Sequence, residues 1–342
     1  MERDGTPIKR TASTPSTAEL GYKDQNTSIH LLESFSELYT VWPDSLLRER
    51  LKEMLHLVRD VITDKNGDLT LFFQPDWTPV SYRDSSETVI LKHRGLDHVS
   101  YGHNVETAYL MLEASHLLGI NNDTLTNRIA KKMVDDALKN GYDFKVGGFY
   151  DEGYYFKDKP GITIIADTKN WWAQAEGLNT LLLMADKYPN DKWHYEKLFK
   201  QQWNYVQTYL IDHEHGDWYQ GGLDKEPKWR LALKGQIWKG TYHVLRAFIN
   251  CTYRLNPDKV SPTVPANLTL IKGAVSILKW RASTDNRGYV GYNIFCNGKR
   301  VGFTPLTHWD MPVGLFGAIT IRAVDLQGNE SKAANVSKVV VY

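Results

Sequence analysis

The chain is poor in cysteine. It has two in 342 residues, Cys251 and Cys296. They fall in segments of different character, so no disulfide framework is expected and the redox compartment stays open. It also lacks an apolar run long enough to cross a bilayer, so no membrane partner is expected. It lacks an excess of charge as well, with 41 Lys+Arg against 40 Asp+Glu. Non-specific nucleic-acid binding needs a basic field, so no nucleic-acid partner is expected either. The first residues, "MERDGTPIKRTASTPSTAEL", hold no apolar h-region and do not read as a signal peptide.

Aromatic side chains are what the sequence has in quantity, with 11 Trp and 19 Tyr. Many sit in polar company, as in "NWWAQAE", "GDWYQGG" and "QIWKGTYH". Large aromatics fill helical cores, and they also make platforms for sugar rings, whose C–H faces stack on indole. Composition alone leaves these two readings even.

Residues 1–25 are polar and turn-rich, a loop or an arriving strand. Beyond them, "NTSIHLLESFSELYTVW" places Ile29, Leu32, Phe35 and Leu38 on one stripe and predicts a helix ending at Trp42-Pro43. "DSLLRERLKEMLHLVRDVI" predicts a second helix, capped by Asp44 or Ser45. A short β-like piece follows, "GDLTLFFQPDWTPVS". The pattern then recurs. "GHNVETAYLMLEASHLLG" pairs with "NDTLTNRIAKKMVDDALKNG", and "TKNWWAQAEGLNTLLLMADKY" pairs with "WHYEKLFKQQWNYVQTYLID". "KGTYHVLRAFINCTYRL" is a last, unpaired helix. His103, Trp172 and His243 recur roughly 70 residues apart, one helical hairpin plus its loop. Repeated hairpins make an α-solenoid or a toroid, and the long aromatic connections favour the toroid.

The composition changes at "NPDKVSPTVPANL", residues 256–268, which reads as a linker. Everything after it reads as strand, about 75 residues in all, the material of a small β-sandwich. Asn297-Gly298 predicts a two-residue hairpin, because type I′ turns need positive φ. This tail resembles a fibronectin type III domain through Trp280 in "LKWRASTDNRG", Gly291-Tyr292 in "VGYNIFCNG", and "IRAVDLQGNES". The resemblance implies a spacer or docking module without catalysis. "LFGAITI" lacks the tyrosine usual near the start of that strand, so no tyrosine corner is expected.

The first turns of the repeated helices carry the chemistry. Asn26 and His30 are four apart, His103 and Glu106 three, Trp172 and Glu176 four, His243 and Arg246 three. Each pair shares one helical face. A single histidine on an apolar face is usually a satisfied core residue, and Glu106 could simply favour the helix macrodipole. Three histidines at equivalent places in a repeat argue instead for a common cavity. His103-x-x-Glu106 lacks a third ligand at helical spacing, so no metal is expected.

"NTSIHLLE", "SYGHNVETAYLMLEA", "DTKNWWAQAEGL" and "IWKGTYHVLRA" together resemble the motif series of the N-acylglucosamine 2-epimerase superfamily, nearest its cellobiose 2-epimerase branch. The resemblance implies a mainly α protein: a partial (α/α)6 barrel, a toroid of helical hairpins, over residues 1–256. The small C-terminal β-sandwich then occupies residues 257–342 with its linker. It implies a small-molecule carbohydrate substrate and no cofactor. His103 and His243 correspond to the catalytic histidines, and Glu106 to the carboxylate that orients them. Asn26 and His30 correspond to residues that bind the sugar near C1 and C2. Trp172 and Trp238 correspond to platforms under the sugar rings, with Trp171 and Glu176 placed beside them as sugar-binding residues.

The implied reaction is C2 epimerisation of a β-1,4-linked disaccharide or related aldose, by ring opening and a cis-enediol or enediolate. Histidine suits it, because an imidazole both takes and gives protons near neutrality. Aldose–ketose isomerisation through the same enediol is a near alternative. Glycoside hydrolysis would need a carboxylate pair, for which Asp167 and Glu176 are candidates. An inactive carbohydrate-binding fragment is a fourth reading.

The resemblance begins part-way through the barrel, and six hairpins would need on the order of 150 further residues upstream. The family's substrate-contacting arginine lies in that part. The expectation for residues 1–342 alone is therefore exposed barrel edges, association through them, and little turnover. Localisation is open, and the tail tilts the expectation towards a secreted or periplasmic setting. Residues 82–98, "YRDSSETVILKHRGLDH", form a longer loop than the pattern has, expected to reshape the pocket mouth.

Overall fold

The computed structural model describes residues 22–120, 122–273, 275–288 and 290–341. The expectation for residues 1–25 falls mostly outside the described residues. Its end, Lys23–Asp24 (β1), pairs antiparallel with Phe72–Phe73 (β2). The chain divides into two compact units. One comprises the chain up to Ser34 together with Leu51–Cys251, and the other comprises Phe35–Arg50 together with Thr252–Tyr342.

Eight α-helices are described: α1 Gln25–Val41, α2 Ser45–Leu57, α3 Glu87–His93, α4 Tyr101–Leu117, α5 Thr124–Gly141, α6 Trp171–Lys187, α7 Tyr195–Tyr209 and α8 Tyr242–Leu255. Helix α4 packs on α5 and α6, and α6 packs on α7. Burial sorts them into two kinds. In α4 and α6 the buried residues run round the helix, as they must where neighbours lie on every side. In α5 the buried positions are Thr126, Ala130, Met133, Val134, Ala137, Leu138 and Gly141, one stripe at helical spacing. Helix α7 is one-sided in the same way, through Tyr195, Leu198, Phe199, Gln202, Tyr205 and Val206. Inner helices paired with amphipathic outer ones are the repeating hairpins the sequence predicts.

Side chains fix where the helices start. Asp44 accepts from the backbone N–H of Leu46 and Leu47, at 2.8 and 3.1 Å. Asp123 accepts from Thr126 N at 3.0 Å, and Asn170 accepts from Ala173 N at 3.1 Å. Each satisfies N–H groups that have no partner inside the helix. Residues 82–98 are not a plain loop. They contain α3 and a single 3-10 turn, Arg94–Leu96. Ile90 of α3 is buried against Tyr154 and Phe156. The segment leads into Val99–Ser100 (β3), which pairs with Glu152–Tyr154 (β4), which pairs with Thr163–Ala166 (β5).

The second unit carries β6 Ala266–Lys272, β7 Ile277–Arg281, β8 Gly291–Cys296, β9 Lys299–Thr304, β10 His308–Asp310, β11 Ile319–Val324, β12 Ala334–Asn335 and β13 Lys338–Val341. They form two four-stranded sheets, β10-β7-β6-β13 and β12-β11-β8-β9. One core takes side chains from both, with Leu278 and Trp280 among those of the first sheet and Tyr292, Ile294 and Ile321 among those of the second. Asn297 and Gly298 have φ of 50° and 80°, as the predicted type I′ turn requires. The linker is shorter than residues 256–268, because β6 starts at Ala266, directly after Pro265. A proline is tolerated ahead of a strand, where no ladder bond is lost.

Gly102 sits where α4 and α6 press together. A Cβ there would lie 2.6 Å from the Ala173 Cβ and 2.6 Å from the Trp172 ring. Gly102→Ala should destabilise the fold by about 1–3 kcal/mol, the usual cost of overpacking. Urea unfolding measures this, and stability equal to the parent would show that the helices separate freely here.

Candidate active site

Four helices of the first unit each turn a pair of functional side chains inward: His30 and Glu33 on α1, His103 and Glu106 on α4, Trp172 and Glu176 on α6, His243 and Arg246 on α8. Arg246 joins them. Its Nη2 donates to Glu106 Oε1 at 2.6 Å and to Glu176 Oε1 at 2.6 Å. Its Nη1 donates to Glu33 Oε1 and, at 2.9 Å, to the Tyr242 hydroxyl. Tyr242 in turn donates to Glu33 Oε2, and His30 Nδ1 lies 3.2 Å from the same oxygen.

Glu106 and Glu176 are fully buried. Burial raises the Glu106 carboxyl pKa, and the neighbouring Glu176 adds to it, against the pull of Arg246, His243 and His30. Burial also works to raise that of Glu33, yet His30, Arg246 and Tyr242 hold it below the ordinary value of 4.5. Desolvation of the Arg246 guanidinium is outweighed by the carboxylates around it, and its pKa rises. His30 is raised, chiefly by its hydrogen bond to Glu33.

The two remaining histidines differ. His243 Nδ1 is 2.8 Å from Glu176 Oε1 and 3.6 Å from Glu106 Oε1. A carboxylate there requires Nδ1–H as the donor and leaves the lone pair on Nε2. Among the described residues, His103 has no acidic partner. Its Nδ1 bonds Ser100 Oγ at 2.8 Å. The depth of the position, with His98, His30 and His243 near it, pushes the imidazole down to about 3. The Trp172 indole lies between the two, its centroid 4.6 Å from His103 and 5.6 Å from His243. The cluster therefore presents two imidazoles in unlike surroundings across one aromatic face, beside the buried carboxylates. Such a pair can move protons on and off a polyol.

Ligand atoms of Glu106, Glu176 and His243 lie within 4.8 Å of one another, a spacing that suits a metal ion. Arg246 already supplies the positive charge there, from 2.6 Å to each carboxylate.

Of the residues singled out from sequence, His30, His103, Glu106, Trp172, Glu176 and His243 meet in this cluster. Three do not join it among the described residues. Asn26 is exposed on the first turn of α1. Trp171 is buried, with its backbone N–H on Gln220 O and its indole N–H unpartnered. Trp238 is 79% exposed in a turn, where its N–H donates to Gln236 Oε1. Asp167 is exposed and paired with Lys225 at 2.6 Å. Sequence reasoning put Arg246 on the right face without assigning it a role, and it missed Glu33 and Tyr242. The signal for Glu33 was present, three residues after His30 on the same face.

A solved sugar epimerase shares this architecture of helical hairpins. The structure of cellobiose 2-epimerase from Bacillus thermoamylovorans superposes with a TM-score of 0.54 at 26% identity, covering 68% of this chain and 53% of that one. The chain belongs to the N-acylglucosamine 2-epimerase (GlcNAc 2-epimerase) family, whose sequence profile matches residues 2–247. Among curated relatives, it is 28% identical over 227 residues to the cellobiose 2-epimerase of Bacteroides fragilis, covering 65% of this chain and 51% of that protein. It is 24% identical over 233 residues to the D-mannose isomerase of Thermobifida fusca, covering 68% and 54%. The chain spans about half the length of the curated relatives it matches.

Two outcomes test the electrostatics. Arg246→Met leaves buried carboxylates without their cation, so stability at neutral pH should fall by about 3–5 kcal/mol in urea titrations. A loss under 1 kcal/mol, the range of exposed pairs, would mean that water replaces the guanidinium. His103 binds its proton more weakly folded than unfolded. The folded state therefore loses stability as pH falls from 6.5 towards about 3. His103→Asn should flatten that part of the urea-midpoint profile, and an unchanged slope would refute the depressed imidazole.

Proposed function

We propose that this chain acts as a sugar 2-epimerase on a β-1,4-linked disaccharide or related aldose, with His103 and His243 as the acid–base pair. The observation that carries the reading is the pair of unlike imidazoles flanking Trp172. His243 is keyed to a buried carboxylate, and His103 is kept neutral by its surroundings.

Ring opening transfers a proton from the anomeric hydroxyl towards the ring oxygen. Removal of the C2 proton then gives a cis-enediol or enediolate, and protonation of the other face inverts C2. Nε2 of His243, with its lone pair free, takes the proton, and Glu176 stabilises the imidazolium that forms. His103 serves the opposite face: it takes up a proton from water as the enediolate forms and passes it to C2, while His243 returns its own proton to water. His30 and Asn26 donate to the oxygens at C1 and C2, where charge develops. Trp172 carries the reacting ring on its face, and the exposed Trp238 belongs to the remaining sugar contacts. Glu106 and Arg246 hold the histidine, and no cofactor enters.

Hydrolysis fits the arrangement less well. It needs two carboxyls flanking one glycosidic oxygen, but Glu176 is buried under Arg246 and Asp167 is tied to Lys225 at an exposed position. The likeness to a D-mannose isomerase favours the ketose-forming branch of the same enediol as the second reading.

We also propose that residues 1–256 form the epimerase domain, and that residues 257–342 hold a fibronectin type III-like β-sandwich serving as a spacer. Two four-stranded sheets around one core support the second assignment, as do the Trp280 and Tyr292 rings 5.1 Å apart within it.

Long incubation with cellobiose and with mannose in D2O tests the reaction. The expected product is the C2 epimer, with deuterium at C2 by NMR. His103→Asn and His243→Asn, folded by circular dichroism, should each lower turnover at least about 10²-fold relative to the parent. A ketose product would move the assignment to isomerisation, and free monosaccharides from cellobiose would move it to hydrolysis. An epimer with no C2 label would sink the enediol route.

A further inference from the structure

Before C2 loses its proton, the pyranose ring must open, and no group above moves the proton from the anomeric hydroxyl to the ring oxygen. Glu33 and Tyr242 take no part in the C2 chemistry, yet both are built around one imidazole. His30 Nδ1 lies 3.2 Å from Glu33 Oε2 and 3.4 Å from the Tyr242 hydroxyl. Tyr242 donates to that same Glu33 oxygen, and Arg246 Nη1 donates to the other. Held by a phenol and a guanidinium, the carboxylate cannot turn away from the imidazole. It selects the Nδ1–H tautomer and leaves the lone pair on Nε2. Among the described residues, Nε2 of His30 has no hydrogen-bond partner.

His30 and His243 are the two carboxylate-paired imidazoles of the cluster. The His30 side chain is 34% accessible against 15% for His243, so His30 is the one more open to a ligand. The groups around it favour a transient cation. Its hydrogen bond to Glu33 on α1 acts most strongly, burial opposes it, Glu106 on α4 adds to it, and Arg246 on α8 works against it. Tyr242 on α8 and His103 on α4 also face it. The balance lifts the imidazole above 6.5. Near neutrality the ring therefore holds a proton it has taken up and still releases it.

We propose that His30 is a proton shuttle that opens and closes the pyranose ring, with Glu33 as its positioning residue, so that the chain interconverts the anomers of an aldose whether or not C2 changes. The proposal rests on the aldose substrate of the epimerase reading and not on its C2 step. Nε2 takes the proton of the anomeric hydroxyl. The electron pair of that O–H bond forms the C1 carbonyl. The bond from C1 to the ring oxygen breaks, and the ring oxygen keeps its electron pair and takes the proton from Nε2. One proton has moved between two sugar oxygens, and His30 is neutral again. Glu33 stabilises the imidazolium between the two transfers. Closure on the other face of the carbonyl reverses the step and gives the other anomer.

NMR exchange spectroscopy on 2-deoxy-D-glucose tests it. C2 of this sugar is not a stereocentre, so only ring opening is read. The parent should speed exchange between the two anomers over buffer alone. His30→Asn and Glu33→Gln should each lower that added rate at least about tenfold. The His30 side chain is partly accessible, so His30→Asn keeps the test open should Glu33→Gln, which weakens the hold on Arg246, fail to fold. A spectroscopic readout separates positioning from packing. Long-range proton–nitrogen spectra, with the His30 signals identified by their loss in His30→Asn, should show the Nδ1–H tautomer in the parent. In Glu33→Gln the His30 titration midpoint should fall by about one pH unit. No acceleration by the parent, a rate unmoved in His30→Asn, or an unchanged midpoint in folded Glu33→Gln would each overturn the shuttle. Anomer exchange with no epimer formed from cellobiose refutes the C2 reaction alone. Epimer formed with no accelerated anomer exchange refutes the shuttle alone.

Discussion

The Arg246 guanidinium is the constraint on which the rest of the site depends. Glu33, Glu106 and Glu176 come from three helices, and a fourth helix brings the one cation that all three share. Two of those carboxylates are fully buried, where an unpaired charge would cost several kcal/mol. The helices therefore cannot drift apart or rotate by a residue without stranding a charge. An apolar seam would tolerate such slippage much better. Buried ion pairs add little net stability, but they penalise wrong arrangements strongly. Here the arrangement being specified is the one that places His243 beside Glu176.

The same network separates the two catalytic candidates. Both imidazoles border the Trp172 ring, yet one hydrogen-bonds a carboxylate and the other only a serine hydroxyl. Acid–base assignments arise when like groups sit in unlike surroundings. For His243, the proton on Nδ1 is set by Glu176, and Glu176 is set by Arg246. For His103, burial and neighbouring imidazoles keep the ring neutral. Removing the carboxylates would make the two histidines more alike and would leave both without a fixed role.

Much of this was legible in the sequence because the chemistry obeys helical spacing. His103 and Glu106 share a face for the same reason that Ala130, Met133, Val134 and Ala137 do, so one periodicity revealed both core and cluster. What stayed hidden depended on contacts between distant segments. Arg246 was visible three residues after His243, but its triple pairing needs α1, α4 and α6 in place. Tyr242 reaches Glu33 across 209 positions of sequence, which no local pattern encodes. The short helix α3 was missed because "ETVILKH" concentrates Val89, Ile90 and Leu91 in one run, without the 3.6-residue period. Trp171 and Trp172 show the limit of motif reading. Neighbours on a helix point about 100° apart, and only Trp172 meets the histidines.

The functional residues of α4, α6 and α8 lie at or near helix starts, where fraying is greatest and positional error most harmful. The start of α6 answers this with a fully buried lysine. Lys169 donates to Asp143 at 2.9 Å, to Asp224 at 3.1 Å and to the Gly147 carbonyl at 2.8 Å. The next residue, Asn170, caps the helix and is itself held by Asp151 Oδ1 through two bonds, at 3.0 and 2.7 Å. Two connections, the one between α5 and β4 and the one after α7, thus converge on two residues just ahead of Trp172. Burying an ammonium is unfavourable unless every donor is met; here two carboxylates and a carbonyl meet all three. The polar outlay beneath α6 follows from the same demand as the guanidinium above it. An indole that lies between His103 and His243 keeps its place only if the helix start is fixed, and apolar packing alone leaves a helix end too free to hold it.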